Sequence, residues 1–217
     1  MSNITNEFVE TYIRELLPES KGLFKEMEIY AEENHVPIVH KEVASLLGVL
    51  TRTSGAKKVL EVGTAIAYST LLFCRAMGED GHITTIERNE EMILKAKENI
   101  KKANREDQVR ILQGDAEEIL RFLEGRYDII FLDGAKGQYN DFLNDCLHLL
   151  KPGGLLISDN ILYKGMIATD ELVVRRKRTI VNRMRSYLET ICDHPQLETS
   201  IIPIGDGLAL SYKRQEE

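Results

Sequence analysis

The sequence predicts one α/β domain: a seven-stranded, mostly parallel sheet with helices on both faces, preceded by a helical N-terminal extension (residues 1–53). Three observations carry this. From Lys57 onward, short apolar runs alternate with amphipathic segments, the pattern of a parallel sheet covered on both sides. Several of those runs end in an acidic residue at a turn, as at Glu87, Asp133 and Asp159. Residues before Thr53 show only helical periodicity.

The extension divides into three helices. Residues 7–17 carry Phe8, Tyr12, Ile13, Leu16 and Leu17 at helical spacing, and Pro18 closes the segment. Residues 20–34 place Leu23, Met27 and Tyr30 on one face, and residues 41–50 follow Pro37 with Val43, Leu46, Leu47 and Leu50. The region either caps a ligand or packs against the sheet edge. Val36-Pro37-Ile38 is the stretch placed to lie over a ligand.

The sheet starts with a strand at 57–62, and KKVLEVGTAIAYS runs from it through a glycine turn into a helix at Tyr68–Met77. Gly63 permits a sharp turn and close ligand approach because it lacks a Cβ. The opening amides of the helix face the crevice above the strand ends, the usual ligand position in such sheets. A dinucleotide fingerprint is excluded, since Ala65 and Tyr68 stand where G-x-G-x-x-G needs its later glycines. His82–Glu87 is the second strand, and Glu87 at its tip can accept both hydroxyls of a ribose. Asn89 caps a helix at 90–103. Val109–Gln113 ends at Gly114-Asp115-Ala116, followed by a helix at 116–123. Strand Tyr127–Leu132 ends at Asp133, and a helix spans 138–150. Pro152-Gly153-Gly154 reads as a turn into strand 155–158, which ends at Asp159-Asn160. A loop at 161–174, a helix to about 192, and strands 199–204 and 208–213 around Gly205-Asp206-Gly207 close the chain.

At 217 residues the chain is sized for one domain with a substantial core. No run approaches the roughly 20 apolar residues that span a bilayer. The opening MSNITNEFVE lacks the basic-then-apolar layout of a signal peptide, so a cytoplasmic location is expected. Cys74, Cys146 and Cys192 have no metal-ligand spacing and read as buried thiols. A net charge of −7 gives no global attraction to nucleic acid. Locally, however, Lys164, Arg175, Arg176, Lys177, Arg178, Arg183 and Arg185 face only Asp170 and Glu171 across residues 164–185. That stripe is either a solvated face or a phosphate-binding surface.

Asp133, Asp159 and Asn160 fall at the ends of strands expected to be neighbours. Two carboxylates and an amide oxygen make a hard oxygen site suited to Mg²⁺. The segments EVGTAIAYS, TTIERN, QGDAEE, YDIIFLDGAKGQY, KPGGLLISDNILYKG and GDGLALS together resemble the metal-dependent O-methyltransferases of the catechol and caffeoyl-CoA type, over nearly the whole chain. Within that family AEENHVPIV, DGAKGQY, DNILYKG and IIPIGDGLA look closest to the tRNA 5-hydroxyuridine methyltransferases of bacteria.

The resemblance implies a Rossmann-like class I methyltransferase fold and S-adenosylmethionine as cofactor. It places Asp133, Asp159 and Asn160 on the metal and Glu87 on the cofactor ribose. Asp115 and Ala116 fall at the adenine, and Ile38, Glu61, Gly63, Tyr68, Ser69 and Asp133 toward the amino-acid end. Ala67 departs from the family's usual glycine. Lys136 falls at the position of the family's proposed catalytic lysine, beside Asp133; the plain alternative is a solvated loop lysine. The implied acceptor is the wobble 5-hydroxyuridine in the tRNA anticodon region, with Lys164, Arg175, Arg176 and Arg178 on its phosphates. A catechol-like or caffeoyl-CoA-like diol is the alternative. A homodimer is expected from the apolar surface of the extension and from the habit of relatives.

Overall fold

The computed structural model describes residues 4–215. Strands β1 (Lys58–Val62), β2 (His82–Glu87), β3 (Val109–Gln113), β4 (Tyr127–Leu132), β5 (Leu150–Asp159), β6 (Leu197–Ile202) and β7 (Leu208–Lys213) form one sheet. Their order is β3-β2-β1-β4-β5-β7-β6. The first five are parallel; β7 pairs antiparallel with β5, and β6 with β7. This is the predicted doubly wound sheet.

Alternate residues of each strand supply the two cores. Val59, Ile83, Ile129, Phe131 and Ile157 pack under α2 (Leu23–Glu33), α3 (Lys41–Ser54), α4 (Tyr68–Met77) and α5 (Glu90–Lys102). Leu60, Ile86, Ile130, Leu132 and Leu156 pack under α6 (Ala116–Phe122), α7 (Tyr139–Leu149) and α8 (Arg178–Asp193). Side-chain caps start several helices: Asn89 Oδ1 accepts from the amides of Glu91 and Met92, and Asp115 Oδ1 from Glu117.

Four expectations are corrected. Helix α3 runs to Ser54 because Gly55 (φ 65°) is the first residue there to take the left-handed cap. Pro152-Gly153-Gly154 lies inside β5 rather than before it. The register shifts between Tyr127 and Ile129, and Gly153 at φ 82° absorbs the irregularity. The 161–174 loop holds 3-10 turns at Tyr163–Gly165 and Asp170–Leu172, and a third at Arg175–Lys177 precedes α8. Cys192 is exposed, unlike Cys74 and Cys146.

Helix α1 (Glu7–Leu16) buries no residue, and Phe8, Tyr12 and Leu16 are 86%, 62% and 66% exposed. It is tied to α3 by Arg14, whose fork grips Glu42 at 2.6 and 2.8 Å, and by Lys41, whose Nζ donates to the Arg14 carbonyl.

At the opposite end of the sheet from the glycine turn, Asp128 holds the start of β1. Its Oδ2 accepts from the amides of Lys57 and Lys58, and Oδ1 from Lys151 Nζ. Burial opposes ionisation, but the lysine and the two amides prevail and hold the carboxyl below its ordinary range. Because the folded value lies below the unfolded one, the contribution is complete at neutral pH and is lost as pH falls through the acid range. Asp128→Ala is expected to cost about 2 kcal/mol at pH 7, and the deficit should shrink toward pH 3. Urea unfolding at the two pH values checks this.

Candidate active site

Parallel register brings the predicted residues to one rim. Val62 pairs with Ile86 and with Leu132, and Leu132 pairs with Ser158. The next residue on each strand is Gly63, Glu87, Asp133 or Asp159. Tyr139 locks two of these ends: its hydroxyl donates to the Leu132 carbonyl at 2.9 Å and lies 3.3 Å from that of Asp159.

A crevice of about 90 Å³ lies over β1, β2 and β3, walled by Gly63, Glu87, Arg88, Asp115, Ala116 and Gly134 among others. Gly63 sits at φ 104°, and a Cβ there would come 3.0 Å from the Gly134 amide, so glycine is required on both counts. The Glu87 carboxylate is aimed into the turn by backbone amides, Oε2 accepting from Ala65 and Oε1 from Arg88 and Asn89. Ala65 and Ala67 are both left-handed (φ 44° and 68°), so the turn forms without the glycine usual at position 67. Sequence reasoning missed Arg88, Gly134 and Ala135 in this wall, and Asn99, whose Nδ2 donates to the Ile66 carbonyl. Arg88 lies in TTIERN and Gly134 and Ala135 in YDIIFLDGAKGQY, but nothing in those segments singled them out as ligand contacts, and no motif marks Asn99.

The residues placed at the cofactor's amino-acid end divide. Gly63 lines the crevice and Asp133 follows the end of β4 beside it, whereas Ile38 packs half-buried against the core. Glu61 is fully buried beneath the turn, with Oε1 accepting from Ser69 and Oε2 from Thr70 and Thr85 at 2.5–2.6 Å. It therefore supports the turn from below rather than lining the crevice. Tyr68 turns its hydroxyl to Glu28 of α2 at 2.6 Å.

Asp133 and Asp159 lie deep at the ends of β4 and β5, and Asn160 follows at φ 59°. Burial first, then repulsion from Asp159, raises the Asp133 carboxyl well above its ordinary value, and Lys136 opposes the rise. Burial likewise pushes Asp159 up to about 6, against the Asn160 amide and Lys136; Asp206 and Glu42 add to the rise. Two buried carboxylates that disfavour each other's charge, with one lysine to offset them, fit a hard divalent cation. Among the described residues no group of three His, Cys, Asp or Glu forms a metal cluster; the third donor expected from the sequence, Asn160, would be an amide oxygen. Lys136 opens a 3-10 turn just past Asp133.

Lys164 is exposed at φ 58°, its amide donating to Asp206 Oδ1. Arg175 and Arg176 lie on the 3-10 turn and Arg178 opens α8, all three exposed. Arg183 and Arg185 are spent internally, on the Gly137 carbonyl and on Ile167, Met166 and Asp170.

The O-methyltransferase family profile matches residues 18–214. The chain belongs to the O-methyltransferase family. It is 33% identical to a catechol O-methyltransferase of Niastella koreensis, over 97% of this chain and 99% of that one. A caffeoyl-CoA O-methyltransferase of Populus kitakamiensis is 30% identical over 76% of this chain and 73% of its own. A Staphylococcus aureus structure, provisionally described as a caffeoyl-CoA O-methyltransferase, superposes with a TM-score of 0.89 at 38% identity, covering 95% of this chain and all of that one.

Burial raises the Glu61 carboxyl to about 7, despite its three hydroxyl donors. A raised carboxyl means that the fold retains a proton the unfolded chain releases, so stability falls as pH rises from about 4.5 to 7. Glu61→Gln is expected to flatten that slope, as read from urea midpoints at pH 5 and pH 7.5.

Proposed function

We propose that this O-methyltransferase binds S-adenosylmethionine in the Gly63–Glu87–Asp115 crevice and methylates the 5-hydroxyl of 5-hydroxyuridine at the tRNA wobble position. The product is 5-methoxyuridine. The observation that carries the tRNA assignment is the exposed group Arg175, Arg176 and Arg178, close in sequence to Asn160 and Lys164 at the candidate metal site. Such a group tracks phosphates in a protein whose overall charge repels them.

The chain's residues have these roles. Glu87 accepts the ribose hydroxyls, Asp115 and Ala116 border the adenine, and Gly63 lets the cofactor approach the backbone. Asp133, Asp159 and Asn160 hold a divalent cation such as Mg²⁺. When bound, the cation supplies positive charge that lowers the pKa of an acceptor hydroxyl beside it. Methyl transfer forms a carbon–oxygen bond as the sulfur–carbon bond breaks, and the electron pair returns to sulfur. Lys136 Nζ takes up the acceptor proton. A solvated role for Lys136 would leave turnover intact.

A second reading, transfer to a catechol-like or caffeoyl-CoA-like diol, is favoured by the names of the relatives, which support it better than the tRNA assignment. Both acceptors present two adjacent oxygens, so one site serves either. The exposed apolar face of α1 supports a homodimer.

Labelled methyl transfer to tRNA lacking the 5-methoxy mark, run beside catechol, each with Mg²⁺ and with EDTA, separates the two. Transfer to tRNA that EDTA abolishes is expected; transfer to catechol alone would move the function to small molecules. Lys136→Ala should lower single-turnover rates about 100-fold on whichever acceptor works. Reversing Arg175 and Arg176 to glutamate should raise the KM for tRNA about tenfold and flatten its salt dependence, with catechol unaffected. Sedimentation should give a dimer at micromolar concentration, and a monomer there would exclude it.

A further inference from the structure

A cavity of about 300 Å³ is lined by Asn160 together with Glu10, Arg14, His40, Lys164, Asp206 and the backbone of Gly205. The lining is charged or polar. An acceptor seated there is held by hydrogen bonds and charge, whereas small-molecule pockets are generally lined by apolar side chains.

Arg14 is fixed in this wall by a two-point ion pair, and it comes from α1, none of whose residues is buried. Its partner Glu42, in the first turn of α3, is 5% exposed. Nε and Nη2 are both committed to that carboxylate, with His40 Nδ1 at 3.5 Å from Nη2. Among the described residues Nη1 makes no hydrogen bond. A planar guanidinium clamped along one edge presents its remaining donors in a set direction.

We infer that Arg14 is an acceptor-recognition residue, clamped by Glu42 in the wall of the cavity that Asn160 also lines. Its free edge selects acceptors with a carbonyl or anionic oxygen beyond the hydroxyl being methylated. The inference rests on the proposed function only in seating the acceptor beside Asn160. A ring carbonyl of a hydroxylated pyrimidine and a carboxylate or phosphate oxygen share the required chemistry. Catechol lacks it.

The test is calorimetric binding to the protein loaded with Mg²⁺ and S-adenosylhomocysteine. The probes are catechol, 3,4-dihydroxybenzoate and 5-hydroxyuridine. Arg14→Gln alone would leave Glu42 buried and unpaired, so it is combined with Glu42→Gln; Arg14→Lys keeps the charge but loses the fork. Both variants should bind catechol within about twofold of the parent and lose about tenfold or more on the oxygen-bearing probes, with S-adenosylhomocysteine affinity unchanged. Selective loss on 3,4-dihydroxybenzoate with no 5-hydroxyuridine binding by the parent supports the Arg14 role while removing the pyrimidine assignment. Equal loss on all probes, no loss on any, or no probe binding to the parent overturns the inference.

Discussion

The register of four parallel strands is the constraint on which the site depends. Side chains in a strand alternate faces, so a slip of one residue between β1 and β4 would turn Asp133 away from the rim and expose apolar core residues in its place. The slip is opposed on both faces at once, because Ile129 and Phe131 belong to one core and Ile130 and Leu132 to the other. The same apolar residues that stabilise the sheet therefore align Gly63, Glu87, Asp133 and Asp159. Tyr139 adds a polar lock, as its buried hydroxyl can be satisfied only while the ends of β4 and β5 stay level.

Beneath the glycine turn the structure tolerates a costly arrangement. Glu61 is an acidic side chain with no contact to water, and three hydroxyls from α4 and β2 converge on it. Its partners bind the first turn of α4 to the ends of β1 and β2, which fixes the opening amides of that helix. Two alanines in left-handed geometry complete the turn. Strain and a buried carboxylate gathered within a few residues are the marks of a segment shaped for a ligand rather than for stability alone.

Much of this was legible beforehand because it rests on period and punctuation. Strands β2, β3, β4 and β7 and helix α4 fall where alternation and bounding glycines place them. Local rules failed where tertiary contacts decide. Pro152-Gly153-Gly154 has turn chemistry, yet pairing with β4 draws it into β5 as an irregular stretch. The family resemblance placed Glu61 toward the cofactor's amino-acid end, but only the three-dimensional convergence of Ser69, Thr70 and Thr85 shows that it points inward. Arg14 was one charge among several on an amphipathic helix; its partner is 28 residues away, and no spacing rule connects them.

The two halves of the site are built differently, and this bears on where specificity resides. The cofactor half consists of strand ends and backbone amides within the sheet, where any shift must disturb both cores. The half proposed to seat the acceptor is assembled from α1, the Asn160–Gly165 stretch and the Gly205-Asp206-Gly207 turn. The last two are tied by the amides of Ile161 and Leu162 to the carbonyls of Gly207 and Asp206 and by the Lys164 amide to Asp206 Oδ1, while Asn160, Tyr163 and Lys164 all lie at positive φ. A change of side chain there alters the cavity without displacing the sheet. A scaffold so divided can keep one methyl donor and the proposed metal site while its acceptor is set by α1 and the stretch from Asn160 to Arg178. Those segments, rather than the strand-end motifs, are where a tRNA acceptor and a small diol would be told apart.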